Sequence, residues 1–300
     1  MEFGRVALQE LDKIDFSLPK EPAANKLVLT KTIQKPLVYL GCAKWGRKEW
    51  IGKIYPKGTK DAQFLDHYVQ HYNSIELNAT HYKVYKPGEI AKWAAKAAGK
   101  DFKFCPKVTN SISHYSGFNN ADLLTTSFLE GILAFGEQLG PIFLQVSEKY
   151  SPKQRYKLFA YLKTLPTDLQ FFLEVRHPDW FAEKGIQKEL FDTLRELNIG
   201  AVITDTAGRR DCAHMHLTVP KAFIRYVGNS LHPTDYTRTD EWVQRIKYWL
   251  DHGLQELYFF MHMHDEALSP ELTVSLVDKL NAACGLNLIK PKFIQGDLFG

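Results

Sequence analysis

Eight short apolar segments recur along this chain, separated by stretches with the spacing of amphipathic helices. That alternation constrains the fold more than any other feature. The segments cover residues 36–42, 74–78, 102–107, 141–146, 171–176, 200–205, 222–227 and 256–262. Each is rich in β-branched or aromatic residues and apolar nearly throughout, as parallel strands buried on both faces are. Between them, Phe64, Leu65, Tyr68, Val69 and Tyr72 stripe a helix that Thr59 is placed to cap. Pro87 opens another that closes near Gly99. Residues 120–139 read as one long amphipathic helix, and residues 239–250 as a further one. Ser269-Pro270 starts the last. Only the link 206–221 carries no helical pattern. Eight such units in about 250 residues have the size of a (β/α)8 barrel.

The expected architecture is therefore a TIM-like (β/α)8 barrel with an irregular link between strands six and seven. It divides into an N-terminal arm (1–36), one barrel domain (37–288) and a C-terminal tail (289–300). A doubly wound open sheet is the competitor. It would carry a glycine-rich phosphate turn after its first strand, of which Gly41-Cys-Ala-Lys-Trp-Gly46 is a poor version.

Charge inside apolar strands points to the site. Burying an unpaired charge costs several kcal/mol or more, yet the fifth strand carries Glu174 and Arg176, which spacing by two places on one face. Barrels hold their chemistry at the C-terminal ends of the strands. Those ends deliver Lys44 and Trp45, Glu76 and Asn78, His81 and Tyr82, and Lys107 followed by His114 and Tyr115. Gln145, His177, Trp180, Asp205, Arg209, Arg225 and His262-Met-His264 follow from the later strands. The N-terminal ends are plain. A mouth this basic in a chain of net charge +4 suits an anionic ligand, because guanidinium groups clamp oxyanions and rings stack on bases or sugars. Glu76, Glu174, Arg176, His177 and Asp205 are the expected catalytic groups. Lys44, Trp45, Asn78, Tyr82, Lys107, Trp180, Arg209 and Arg225 are the expected ligand contacts, with Glu76, Asp205 and Arg225 as neighbours of Glu174 in one pocket. A salt-bridge network that only fixes packing is the bland alternative.

Two chemistries fit these residues. Glu76, Glu174, His262 and His264 are ligand types for a divalent metal, although ligands on separate strands leave no local motif. Without metal, Glu174 stays ionised beside Arg176 while Glu76, in apolar company, rises into the general-acid range. Nucleophile-elbow, Walker A, H-E-x-x-H and EF-hand patterns are absent. Cys42, Cys105, Cys212 and Cys284 are scattered with no C-x-x-C pair, so a reducing compartment is expected, and Cys42 reads as a small buried apolar residue. No apolar run approaches a membrane span and no signal peptide is apparent, so the expected location is cytoplasmic.

The blocks carrying these residues also carry a resemblance. The stretch 40–58, opening Leu-Gly-Cys-Ala-Lys-Trp-Gly, resembles the opening signature of the domain-of-unknown-function family 72, the YecE-like proteins. Residues 72–82, 140–145 and 174–180 resemble its later blocks in order. The resemblance implies a TIM-like barrel similar to the xylose isomerase and endonuclease IV types, and it implies no established reaction. Gly41, Trp45, Trp50, Tyr55, Glu76, Asn78, Glu174, Arg176, His177, Pro178 and Trp180 match family-typical positions. Near strand eight many members read Phe-Asn-Asn, where this chain has Phe260-Met-His-Met-His264.

The tail, Gln295-Gly-Asp-Leu-Phe299, resembles the peptide by which bacterial replication and repair proteins dock on the DNA sliding clamp, with Gly296 in place of the usual Leu. The leading expectation is an enzyme that binds or processes a phosphoester or nucleic acid by carboxylate and Arg chemistry. A non-enzymatic nucleic-acid-associated protein docked through its tail is the second. A sugar-phosphate isomerase-like or lyase activity is the third.

Overall fold

The computed structural model describes residues 3–31 and 34–294; the clamp-like peptide 295–299 lies outside the described residues. Eight strands form one parallel sheet in the order β3-β2-β1-β8-β7-β6-β5-β4. They are β1 (Leu37–Cys42), β2 (Ser74–Leu77), β3 (Lys103–Pro106), β4 (Ile142–Gln145), β5 (Phe171–Glu174), β6 (Gly200–Asp205), β7 (Lys221–Gly228) and β8 (Glu256–Met263). Parallel bridges Phe104↔Leu139 and Lys107↔Phe143 draw β3 against β4 and nearly close the ring. The strands lie where their apolar runs lie, and the TIM-like barrel is what the chain forms.

Seven of the eight strands are followed by a helix: α1 (Phe64–Tyr68), α2 (Pro87–Lys96), α3 (Asp122–Ile132), α4 (Arg155–Leu162), α5 (Lys184–Glu196), α6 (Pro233–Asp251) and α7 (Ser269–Cys284). The link after β6 holds only a short turn at Arg210–Cys212, as its sequence predicts. Three helix expectations need correction. The stretch 120–139 is not one helix: after α3 the chain tightens and breaks at Gly136, whose φ of 56° no continuing helix adopts. α6 begins at Pro233, six residues before Thr239, because the His232 side chain accepts the Thr234 N–H and Pro233 fits the first turn. Thr59 does not cap α1; its hydroxyl donates to the Pro56 carbonyl.

Where the eighth helix is missing, the N-terminal arm takes its place. Leu11 and Phe16 pack with Ala207 of the β6–β7 link. Asn25 donates to the Met215 carbonyl and accepts the Leu217 N–H. Glu21 accepts from Arg245 and Trp249 on α6. The arm is thus an integral layer over a gap that would otherwise expose the sheet. It also brings Phe3 to the C-terminal end of the barrel, where the Phe3 carbonyl accepts the Thr206 hydroxyl.

The barrel interior is layered. Tyr39, Cys105, Phe143, Phe172, Val202, Val219, Phe223, Tyr258 and Phe260 form an aromatic plug. A larger apolar shell packs the outer strand faces against the helices. Gly41 marks the tightest strand contact, since a Cβ there would lie 2.0 Å from the Ser74 carbonyl oxygen. The Tyr68 hydroxyl spans the same β1–β2 seam, accepting the Cys42 N–H at 2.7 Å and donating to Ser74 at 2.9 Å.

Candidate functional site

Above the aromatic plug, seven strands each turn one polar side chain inward: Glu76, Lys107, Gln145, Glu174, Thr204, Arg225 and His262. The period of two explains the layer, because Lys107, Gln145, Glu174, Thr204, Arg225 and His262 each sit two positions beyond a plug residue, and Glu76 two beyond the buried Ser74. Arg225 is its hub. Its Nε and Nη2 donate to the two oxygens of Glu76, both at 2.8 Å, and Nη1 donates to both oxygens of Glu174 at 2.9–3.0 Å. Glu174 also accepts Arg176 Nε at 2.8 Å, Thr204 Oγ1 at 2.8 Å and Gln145 Nε2 at 2.6 Å. Glu76 accepts Asn78 Nδ2 at 2.8 Å and lies 2.9 Å from His262 Nε2.

This saturation fixes the charge states. Burial pushes the Glu174 carboxyl up, but the guanidiniums of Arg176 and Arg225 outweigh it and hold the group well below the carboxylate range. Burial likewise works against ionised Glu76, and Arg225 with His262 reverses the balance. The expectation that Glu76 rises into the general-acid range is therefore corrected: Arg225, from the far side of the barrel, reaches it. The same geometry bears on the metal candidates. The Arg225 guanidinium fills the space between the two carboxylates, and no group of three or more His, Cys, Asp and Glu set to hold a metal ion occurs among the described residues. His264 lies half-buried past the end of β8.

One member of the layer remains poised to titrate. Lys107 Nζ donates to Gln145 Oε1 at 2.9 Å and stands 5.7 Å over the Phe143 ring. Among the described residues no carboxylate oxygen lies within 4.0 Å of it. Burial first, and the charge of Arg225 second, push it down to about 7 against the pull of Glu174 and Glu76. Nearby, His81 Nδ1 contacts the Val108 carbonyl at 2.7 Å, and its ring meets His114 edge-on at 5.1 Å. Burial and the charge of Lys107 push His81 down to about 4, so its imidazole is neutral.

Other expected residues scatter. Asp205 faces outward, not into the mouth: Thr204 is the inward neighbour of Arg225, so strand alternation sends Asp205 to α6. There it accepts Trp242 Nε1 at 2.7 Å and pairs with Arg238 at 3.0 Å and with Arg210. Trp180 is fully buried in the outer shell and donates to the Tyr150 carbonyl at 2.9 Å, so it offers no ligand surface. Lys44 and Trp45 line a separate surface cleft of 460 Å3 with Arg47 and Asp61. Arg209 forms a two-pronged pair with Asp211 beside Phe3. His177 lies at the rim 3.6 Å from Asp179, and Tyr82 is exposed beside His81. Cys42 is buried, and burial pushes its thiol up, away from reactivity.

Sequence reasoning missed two contributors. Thr204 gave no signal because β6 is apolar on both faces. Phe3 belongs to an arm with no strand or helix pattern, yet its ring lies 4.1 Å from the Arg176 guanidinium and closes the rim over it. A 610 Å3 cleft opens at the opposite end of the barrel. Its polar groups are committed to structure: Asn73 holds the β1 backbone at Leu40 and Val38, and Asp101 accepts the Tyr39 hydroxyl.

No helix among the described residues is long and apolar enough to cross a membrane. The chain is 28% identical to the UPF0759 protein YecE of Escherichia coli K12, and equally to that of strain O157:H7, over 81% of this chain and 93% of the relative. Two crystal structures of a DUF72 family protein from Enterococcus faecalis V583 share its fold, with TM-scores of 0.65 and 0.63 at 14% and 15% identity. They cover 87% and 84% of this chain and 100% and 99% of theirs. The family model for DUF72, described as a protein of unknown function, matches residues 39–292, and the chain belongs to that family.

Proposed function

We propose that the mouth of this barrel binds a small anionic molecule, phosphorylated or carboxylated, through Arg176 and Lys107, and that Lys107 handles the proton in place of the carboxylates. The charge count carries this reading. The buried Glu76 and Glu174 are matched by Arg225 and Arg176, Arg176 also lying 3.7 Å from the exposed Glu148, while Lys107 has no carboxylate oxygen within 4.0 Å among the described residues. An anion entering the mouth supplies the missing charge. Both cations lie below the rim, Lys107 at 6% and Arg176 at 8% exposure. That depth suits a small molecule and not a duplex, whose phosphates stay on a surface.

Linkage gives the test. An anion beside Lys107 stabilises its charged form and raises its pKa from about 7. Calorimetry with inorganic phosphate at pH 8, in buffers of different ionisation enthalpy, is expected to show uptake of about one proton per bound anion in addition to the phosphate's own. Binding that takes up no such proton, or no binding at all, defeats the reading.

A further inference from the structure

We propose that Lys107 is an amine nucleophile that condenses with the carbonyl group of a small aldehyde or ketone bearing a phosphate or carboxylate. This rests on the anion-site reading and goes beyond it by naming a reaction and a substrate class.

The placement is what an imine-forming lysine needs. The backbone of Lys107 is held on both sides, its N–H donating to the Leu77 carbonyl at 3.2 Å and its carbonyl accepting Thr80 Oγ1 at 2.8 Å. The side chain therefore enters the barrel from a fixed point. Among the described residues its side chain makes one hydrogen bond, to a neutral amide oxygen, and that amide is itself fixed by its 2.6 Å bond to Glu174. A neutral amine needs a single acceptor for such a bond and keeps its lone pair free. An ammonium would bring three protons to the same lone acceptor. The Phe143 ring floors the site and the guanidinium of Arg225 shares that ring at 5.6 Å. Desolvation beside another cation is the setting that activates lysine amines toward carbonyls. By contrast, Lys53, Lys83, Lys96 and Lys279 each hold a carboxylate at 2.5–2.7 Å.

The step balances without an oxidant. Nζ forms a bond to the carbonyl carbon, and one amine proton moves to the carbonyl oxygen, giving a carbinolamine. The C–O bond then breaks and the oxygen leaves as water with the second amine proton, leaving a C=N bond. Neutral His81 is the group that carries protons between nitrogen and oxygen, with Arg176 holding the anionic end.

The test uses the full chain, borohydride and glyoxylate, an aldehyde that carries a carboxylate, with acetaldehyde as the neutral counterpart. Peptide mass spectrometry locates the reduced adduct. Lys107 is expected to be labelled at least about tenfold faster than the surface lysines, whose amines are almost wholly protonated at neutral pH. Inorganic phosphate is expected to slow it, and Lys107→Arg to abolish it. Labelling of Lys107 no faster than the surface overturns the imine; if phosphate still binds calorimetrically, the anion site survives that failure. Absence of both labelling and phosphate binding overturns the two together. Equal rates with glyoxylate and acetaldehyde overturn the anionic substrate class.

Discussion

Two buried ion-pair networks flank the same strands, one inside the barrel around Arg225 and one outside around Asp205. Their residue types are alike, and their partners differ. In the outer network Asp205 is shared by Arg238, Arg210 and Trp242, while Arg238 also donates to the Val227 carbonyl at 3.0 Å and approaches Asp235 at 3.3 Å. Asp235 in turn accepts the Asn229 N–H at 2.8–2.9 Å. Two carboxylates meet two guanidiniums, and apart from the Arg238–Asp235 pair within α6 the contacts tie the ends of β6 and β7 to α6 or the link. That network is a strut. The inner one has the same balanced core, but adds Lys107, held by Gln145. Buried charge alone does not mark a site; an additional titrating group on the accessible side does.

Breaking each hub separates the two most sharply. Arg225→Met takes the shared cation from Glu76 and Glu174, leaving Glu174 only Arg176 and Glu76 only His262 and Asn78, and loss of one partner from a buried pair typically costs about 3–5 kcal/mol. Urea unfolding at pH 7 is expected to show that loss. The loss should shrink as pH falls, because the stranded carboxylates then protonate readily. Asp205→Asn keeps one acceptor for Trp242 and takes the carboxylate from Arg210, while Arg238 keeps Asp235, so a smaller cost of about 2–3 kcal/mol is expected. Phosphate affinity should be unchanged in Asp205→Asn. If it falls as far as in an Arg176→Gln variant, the outer network belongs to the site and the contrast fails.

How far the contrast was legible in sequence depends on strand parity. Glu76, Glu174 and Arg225 stand out as charges in apolar strands, and the barrel rule brings them to one end. Asp205 stands out equally and goes the other way. β6 is buried on both faces, so no alternation of polarity reveals which of Thr204 and Asp205 turns inward. Only its register with Arg225 decides. Lys107 was legible as a cation, but its lost partner was not: that follows from Arg225 claiming both glutamates across the barrel. The arm was the least legible part. Its anchors, Leu11, Phe16 and Asn25, lie on two short turns with no period to read, and they matter because one crossover lacks its helix.

Lys107 supplies a pH signature carried by an amine, where the shifts of the outer network fall on the carboxylates Asp205 and Asp235. Its folded pKa of about 7 lies below the ordinary 10.5, so between these values the unfolded chain binds more protons and stability rises with pH. Below pH 7 both states are protonated and the full penalty, on the order of 5 kcal/mol as an upper bound, is in force. Lys107→Met removes this dependence at the cost of one hydrogen bond to Gln145. It is expected to stabilise the protein at pH 6 and to help least, or harm, at pH 10, as thermal melts at the two pH values will report. A Lys107→Met effect that is the same at both pH values means the amine stays charged throughout, and with it the inner network becomes a second strut.

The smallest effect tests access. Phe3 covers the Arg176 guanidinium at 4.1 Å, and a cation over an aromatic ring contributes about 0.5–2 kcal/mol. The arm is held independently by Leu11, Phe16 and Asn25, so Phe3→Ala is expected to lower stability by no more than about 1 kcal/mol, at the weak end of that range plus a partly buried ring. Its consequence for binding runs the other way. Uncovering Arg176 removes a contact that the anion must displace, so phosphate affinity is expected to rise by about three- to tenfold, the same interaction energy read as an equilibrium ratio. Asp205→Asn offers no such gain, because Phe16, the ring over Arg238 and Arg210, is packed into the arm's own apolar cluster with Leu11 and Ala207. A Phe3→Ala variant that binds phosphate more weakly places the ring in the ligand's own contact surface, and Phe3 then joins the site as a wall instead of a cover.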